Sequence, residues 1–291
     1  PLVIVDLCGK CFAFALAIYY CKDIVIGRPV SLAKGLREAL DNVRVGIKLM
    51  FASIASMLII GIVRFGMEQK WDIETFGKVS LTLSISNMLM IFINAVGIVI
   101  YPMLRNTSPE RLPGIYRSMR DVLMIALIGM LIAFYPAKWI FTLWLPQYSD
   151  ALPYMAFLFP VCVYESKMSM LINTYFKTLR KEKLMMILNW ITVGISFLST
   201  YMTLTVLSIT FLLAFKCILS EIMLARIINI NVYGDIVLEF CMTIIFITSA
   251  WFWGNAYGLA SYLTTYAVYF FIKRKDVVEA LRLVKKARAS T

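Results

Sequence analysis

The sequence predicts an all-α polytopic membrane protein of about nine transmembrane helices, and three observations carry that prediction. Of 291 residues, 61% are hydrophobic and 16% charged, with a mean hydropathy of +0.80, whereas soluble domains carry about 25% charged residues. The apolar residues come in runs of about 20, the length a helix needs to cross a bilayer. The Lys and Arg residues between these runs alternate in density, as they do when cytoplasmic loops collect the positive charge.

In chain order, the first run, 2–21, has no basic segment ahead of it and no small-residue cleavage site behind it. It therefore reads as a span and not as a signal or transit peptide. Pro1 is not an initiator methionine, and the expectation is a piece of a longer protein that starts at the edge of a span. Residues 22–45 are basic, with Leu32, Leu36, Leu40 and Val43 at helical spacing. Such a segment either lies on the anionic inner leaflet or forms a solvated connector helix. Further spans are expected at 46–64, 79–103, 121–143, 151–173, 184–200, 205–225, 236–252 and 256–272. Pro102, Pro136, Pro153 and Pro160 lie in or beside them, where proline kinks a helix and frees carbonyls. The last four spans form two tight hairpins, turning at 199–205 and at Trp251, Trp253, Gly254 and Asn255. A basic tail, 273–291, repeats the amphipathic pattern with Val277, Leu281 and Val284.

Loop charge orients these spans. One alternating set of segments holds Lys22, Arg28, Lys34, Arg37 and Arg44; Arg105, Arg111, Arg117 and Arg120; Lys177, Arg180, Lys181 and Lys183; Arg226; and the seven basic residues of the tail. The opposite set holds only Arg64, Lys70, Lys78 and Lys138. The first span thus enters from outside and the C-terminus is cytoplasmic. With a cytoplasmic N-terminus, an odd number of spans precedes residue 1.

Composition removes most enzyme chemistry. There is no histidine, which excludes Ser/His/Asp and Cys/His nucleophiles, His-ligated zinc and His-ligated haem. The net charge of +12 follows from the basic segments beside spans and points to the membrane surface, not to nucleic acid. Cysteines 8, 11, 21, 162, 217 and 241 lie in or at the ends of apolar runs and read as small buried residues. Cys8-Gly9-Lys10-Cys11 lacks a second pair and any histidine, so neither metal nor redox chemistry follows. No Walker-type lysine loop and no dinucleotide fingerprint occurs, and no catalytic residue or cofactor is expected.

Charged residues within hydrocarbon are costly and mark the first places to look for function. Asp6 and Lys10 are four residues apart on one helical face and either neutralise one another or line a polar path. Glu165 and Lys167 share the fifth span, Lys216 and Glu221 the seventh. These residues either form cross-helix ion pairs or give an internal cavity positive potential, with the acids tuning the lysines or binding a coupling cation. Arg64 at the outer end of the second span, and Lys48 at its cytoplasmic end, either snorkel to headgroups or contact a phosphate.

Gly46-Ile47-Lys48-Leu49-Met50 opens a span that Arg64 closes, Phe76-Gly77-Lys78-Val79-Ser80 opens the next, and Tyr101-Pro102-Met103-Leu104-Arg105 ends it. Leu145-Pro146-Gln147-Tyr148 with Ala151 follows, then Asn173 through Leu179-Arg180-Lys181-Glu182-Lys183 to Asn189. In order and spacing, over residues 40 to 230, this string resembles the oligosaccharide flippases of polysaccharide biosynthesis. It departs from them at Val63, where an acidic residue is frequent, and at Pro146, where glycine is usual.

The resemblance implies a member of the multidrug/oligosaccharidyl-lipid/polysaccharide exporter superfamily, with two six-helix lobes around a cavity worked by alternating access. Residues 1–21 are then the last helix of the N-terminal lobe and 22–45 a cytoplasmic linker. Residues 46–225 are the C-terminal lobe, 226–272 two additional spans and 273–291 a cytoplasmic tail. The implied cargo is an undecaprenyl-pyrophosphate-linked oligosaccharide crossing a bacterial inner membrane. Lys167, Lys216, Lys10, Arg64 and Lys48 are the candidate substrate-binding cations. Glu165, Glu221 and Asp6 are the acids placed to couple a proton or sodium gradient. The alternatives are a cation-coupled multidrug exporter and a membrane-embedded glycosyltransferase or polymerase. The latter needs catalytic carboxylates in a long loop, and the one long loop, 22–45, is basic.

Overall fold

A computed structural model describes residues 2–20, 22, 32–70, 76–77, 80–81, 84, 104, 109–144, 152–202, 206–252 and 255–289. Among them there are helices and no strand. The ten α-helices are α1 (Leu2–Tyr20), α2 (Leu32–Lys70), α3 (Leu112–Met130), α4 (Phe134–Trp144), α5 (Leu152–Lys167), α6 (Asn173–Thr178), α7 (Glu182–Met202), α8 (Val206–Ile227), α9 (Tyr233–Phe252) and α10 (Asn255–Ala289). Among the described residues six stretches are long and apolar enough to cross a membrane: Gly35–Gln69, Leu112–Trp144, Tyr154–Thr178, Glu182–Tyr201, Ser208–Ile227 and Tyr233–Phe252. The expected span 79–103 falls almost wholly outside the described residues.

The chain divides into two compact units, residues 1–47 and 48–291. In the first unit, the α1 side chains from Asp6 to Tyr20 are exposed. The segment expected as an amphipathic linker is helical from Leu32 onward, in α2, which runs to Lys70. No breaker interrupts it: Gly35 and Gly46 are tolerated singly, at roughly 1 kcal/mol each.

In the second unit α5 is the central element. Of the span that contains it, 83% is buried, against 17–61% for the other five. It packs on α8, α9 and α3, while α10 lies along α3 and α9 and α7 lies along α8. Three apolar clusters meet on it, through Tyr164, Phe159 and Leu158 respectively. α2 presents Ala52, Ile59, Val63 and Met67, at helical spacing, as its buried face. Phe197, Tyr201, Trp144, Phe252 and Phe271 point outward, as lipid-facing side chains should and as few soluble surfaces tolerate.

Local chemistry explains the breaks. α3 passes into α4 through a 3-10 turn at Leu131–Ala133. Pro136 supplies no N–H for the carbonyl of Ile132 and its ring crowds that carbonyl, which accounts for the tightened turn. Between α5 and α6 the helix widens to a π turn, Met168–Ile172. α6 ends with Arg180 at φ 52, and Lys181 N donates to Phe176 O at 2.8 Å. The end of α8 repeats this, with Asn229 at φ 54 and Ile230 N donating to Ala225 O at 2.9 Å. Both are left-handed helix caps that satisfy a terminal carbonyl and reverse the chain within a few residues. The Asn231 side chain then accepts from Tyr233 N at 3.2 Å at the start of α9.

Of the described cysteines, Cys162 and Cys217 are buried while Cys8, Cys11 and Cys241 are exposed. The expectation that all would be buried fails for a physical reason: a small apolar side chain is equally at home against lipid.

Candidate functional site: a buried network of charge

The buried faces of α3, α5, α8, α9 and α10 converge on charged groups. At the centre is a closed ring. The Arg120 Nε donates to Glu221 Oε1 at 2.7 Å, and its Nη2 lies 2.7 Å from Glu239 Oε1. Lys167 Nζ donates to Glu221 Oε2 at 2.5 Å and to Glu239 Oε2 at 2.6 Å. Each carboxylate thus bridges both cations, and each cation both carboxylates. Tyr116 adds a hydroxyl donor to Glu221 at 3.3 Å. All four charged side chains are at most 6% exposed.

Toward α10 the ring continues. Arg120 Nη1 lies 3.4 Å from Asp235, and Lys273 Nζ donates to Asp235 at 2.6 Å and to Asp121 at 3.2 Å. Helical spacing brings these groups together: Asp235, Glu239 and Thr243 share one face of α9, and Tyr116, Arg120 and Met124 one face of α3. Glu221 and Glu239 sit six residues from the ends of α8 and α9 that the turn at Asn229 joins, about 9 Å at 1.5 Å per residue. The network therefore lies toward the ends of α8 and α9 that the turn at Asn229 joins.

A second, smaller site lies on the other face of α5. Lys216, 3% exposed, is 3.7 Å from Glu165 and donates to Ser56 on α2 at 2.8 Å. Along the same α2 face, Asn189 donates to Ala52 O at 2.9 Å and Ser196 to Ile59 O at 3.3 Å. The small Ala52, Ala55 and Ser56 let α7 and α8 approach closely enough for these bonds. Both sites tie α5 to α8 in register, Glu165 with Lys216 and Lys167 with Glu221. The order ascends along both helices, as it does when two spans run in the same direction.

The sequence-predicted residues divide accordingly. Lys167 and Glu221 are in the ring, and Lys216 and Glu165 form the second site. Asp6 and Lys10 pair at 2.7 Å as exposed residues in the first unit. Lys48 is half-buried, and Arg64 is half-buried with a buried Nε that has no hydrogen-bond partner. The sequence reading assigned Arg120 to a cytoplasmic loop before a span at 121; the structure corrects this, because helix begins by Leu112 and carries Arg120 two turns inward, to 1% exposure. Asp6, Glu165 and Glu221 are not the only acids within spans, since Glu239 lies in the expected span 236–252 and is 5% exposed. Lys273, assigned to the tail, is 7% exposed. The missed signal was Glu239 itself, a lone acid in an apolar run that requires a buried cation.

Among the described residues no group of His, Cys, Asp and Glu is arranged to hold a metal ion. No protein-family model matches the chain, and no curated protein or solved structure matches it. The ring is arranged to hold four helices together through desolvated charge, whereas the Lys216 site offers a buried cation whose one acidic partner is not within hydrogen-bonding distance.

Proposed function

We propose that this chain works as an alternating-access flippase, with about nine spans in this segment. It carries undecaprenyl-pyrophosphate-linked oligosaccharide from the cytoplasmic to the periplasmic leaflet of a bacterial inner membrane, with its C-terminus in the cytoplasm. The observation that carries the reading is Lys216. Its ammonium is 3% exposed, donates to the neutral Ser56 and pairs with Glu165 only at 3.7 Å, a long ion pair that an anionic headgroup at the α2 seam can displace. In a low-dielectric setting that attraction is several times stronger than in water. Lys167, by contrast, is committed to two carboxylates and is assigned to structure. Arg64, on the same helix as Ser56, is a second cation for the diphosphate; Lys48 and Lys10 are assigned peripheral contacts, with headgroups of anionic lipids and with Asp6. Glu165, 23% exposed, releases Lys216 when the cargo arrives.

A second reading, a cation-coupled exporter, is favoured by the acids of the network, because four carboxylates face three buried cations there. Binding separates the two. The intact purified protein is expected to gain thermal stability with undecaprenyl pyrophosphate and less with undecaprenyl monophosphate. Lys216→Met is expected to abolish the difference and Lys216→Arg to retain it. Equal responses of wild type and Lys216→Met would contradict the flippase reading.

A further inference from the structure

Among the described residues, the network contains an acid that is not the nearest partner of any cation. Arg120, Lys167 and Lys273 supply three buried positive charges; Asp121, Glu221, Asp235 and Glu239 supply four carboxylates. Lys167 and the Nε and Nη2 of Arg120 go to Glu221 and Glu239. The groups that remain, Lys273 and Arg120 Nη1, both lie nearer Asp235 than Asp121: 2.6 against 3.2 Å, and 3.4 against 4.0 Å. Asp235 is 21% exposed and Asp121 4%. The helices packed around Asp121 bring Lys273 and Tyr269 from α10, Asp235 from α9, and Arg120 from its own helix. Arg117, one turn earlier on α3, is exposed and faces Asp235, so it too acts on Asp235 and not on Asp121.

A buried carboxylate that only shares a lysine held more closely by another acid is an expensive group for a protein to bury in its charged form. We propose that Asp121 carries a proton, making the seven-residue network neutral, and that this proton-binding site lies where α3, α9 and α10 meet. Asp235 is the route by which the proton exchanges with water. Loss of the proton places two anions against one lysine and loosens α10 from α3. The inference concerns the network alone and stands whether or not the cargo is a lipid-linked glycan.

Infrared spectra of the intact protein in an ester-free detergent at neutral pH test it. A protonated-carboxyl band that shifts in D2O is expected in wild type and absent in Asp121→Asn. Because asparagine resembles the protonated acid, Asp121→Asn is expected to unfold at the wild-type midpoint, whereas Glu221→Gln unfolds earlier. Lys273→Met, which enlarges the acidic surplus, is expected to strengthen the band by a second carboxyl. Absence of the band in wild type, its persistence in Asp121→Asn, or unfolding of Asp121→Asn as early as Glu221→Gln would overturn the proposal. A midpoint that depends on sodium with no carboxyl band would also overturn it, placing a metal cation where the proton is assigned.

Discussion

At the scale of single residues, the account turns on which charges have partners. Removing one member of a buried ion pair leaves the other desolvated and unpaired and costs about 3–5 kcal/mol, whereas replacing both by apolar groups is close to neutral. Glu221→Gln is therefore expected to lower the unfolding midpoint of the intact protein strongly, and Lys167→Met/Glu221→Leu to recover most of the loss. Thermal unfolding in detergent checks this, and a double variant weaker than the single one would mean that the ring has some other role. The sequence made half of this legible. Asp6, Lys10, Glu165, Lys167, Lys216 and Glu221 stand out because each charge interrupts an apolar run; pairing within one helix is one of the two readings for Asp6 and Lys10, and pairing across helices one of the two for the other four. Arg120 and Lys273 were not legible, because each sits at the margin of a run, where a helix extended by two turns cannot be told from a loop. Glu239 was legible and was passed over.

At the scale of elements, two close contacts give tests that do not touch the charges. A Cβ on Gly129 would stand 2.6 Å from the hydroxyl oxygen and 3.0 Å from the Cζ of Tyr266, which donates to Ile125 O at 3.1 Å. Gly129→Ala is thus expected to push α10 off α3 at the cost of overpacking, about 1–3 kcal/mol. Tyr266→Phe in the same chain should return part of that, since the oxygen is the nearer atom; a double-mutant cycle with no coupling would contradict the packing. At the end of α6, Arg180 holds a left-handed conformation that glycine adopts without the steric penalty of roughly 1 kcal/mol. Arg180→Gly is expected to raise the unfolding midpoint, and a lowered midpoint would show that the arginine side chain contributes more than its backbone costs. The helices themselves were largely visible as apolar runs. The 3-10 turn before Pro136 and the π turn after Lys167 were not, because a run of apolar residues carries no mark of how tightly its helix is wound.

At the scale of the whole molecule, a hydrophobic exterior and a charged interior belong to a protein whose solvent is lipid. The turns at Arg180 and Asn229 follow α6 and α8, and the proposed topology puts both in the cytoplasm. Single cysteines introduced at Arg180 and Asn229 in a cysteine-free background are expected to react with an impermeant thiol reagent only after the membrane is opened; labelling from outside intact cells would invert the topology. The most direct test of the proposed transport is the leaflet distribution of undecaprenyl-linked glycan in the native host. With the intact gene deleted and no redundant flippase present, the glycan is expected to accumulate on the cytoplasmic face, out of reach of a periplasmic enzyme. Wild type and Lys216→Arg should restore access and Lys216→Ala should not. Normal delivery of the glycan without the gene, or full rescue by Lys216→Ala, would contradict the account.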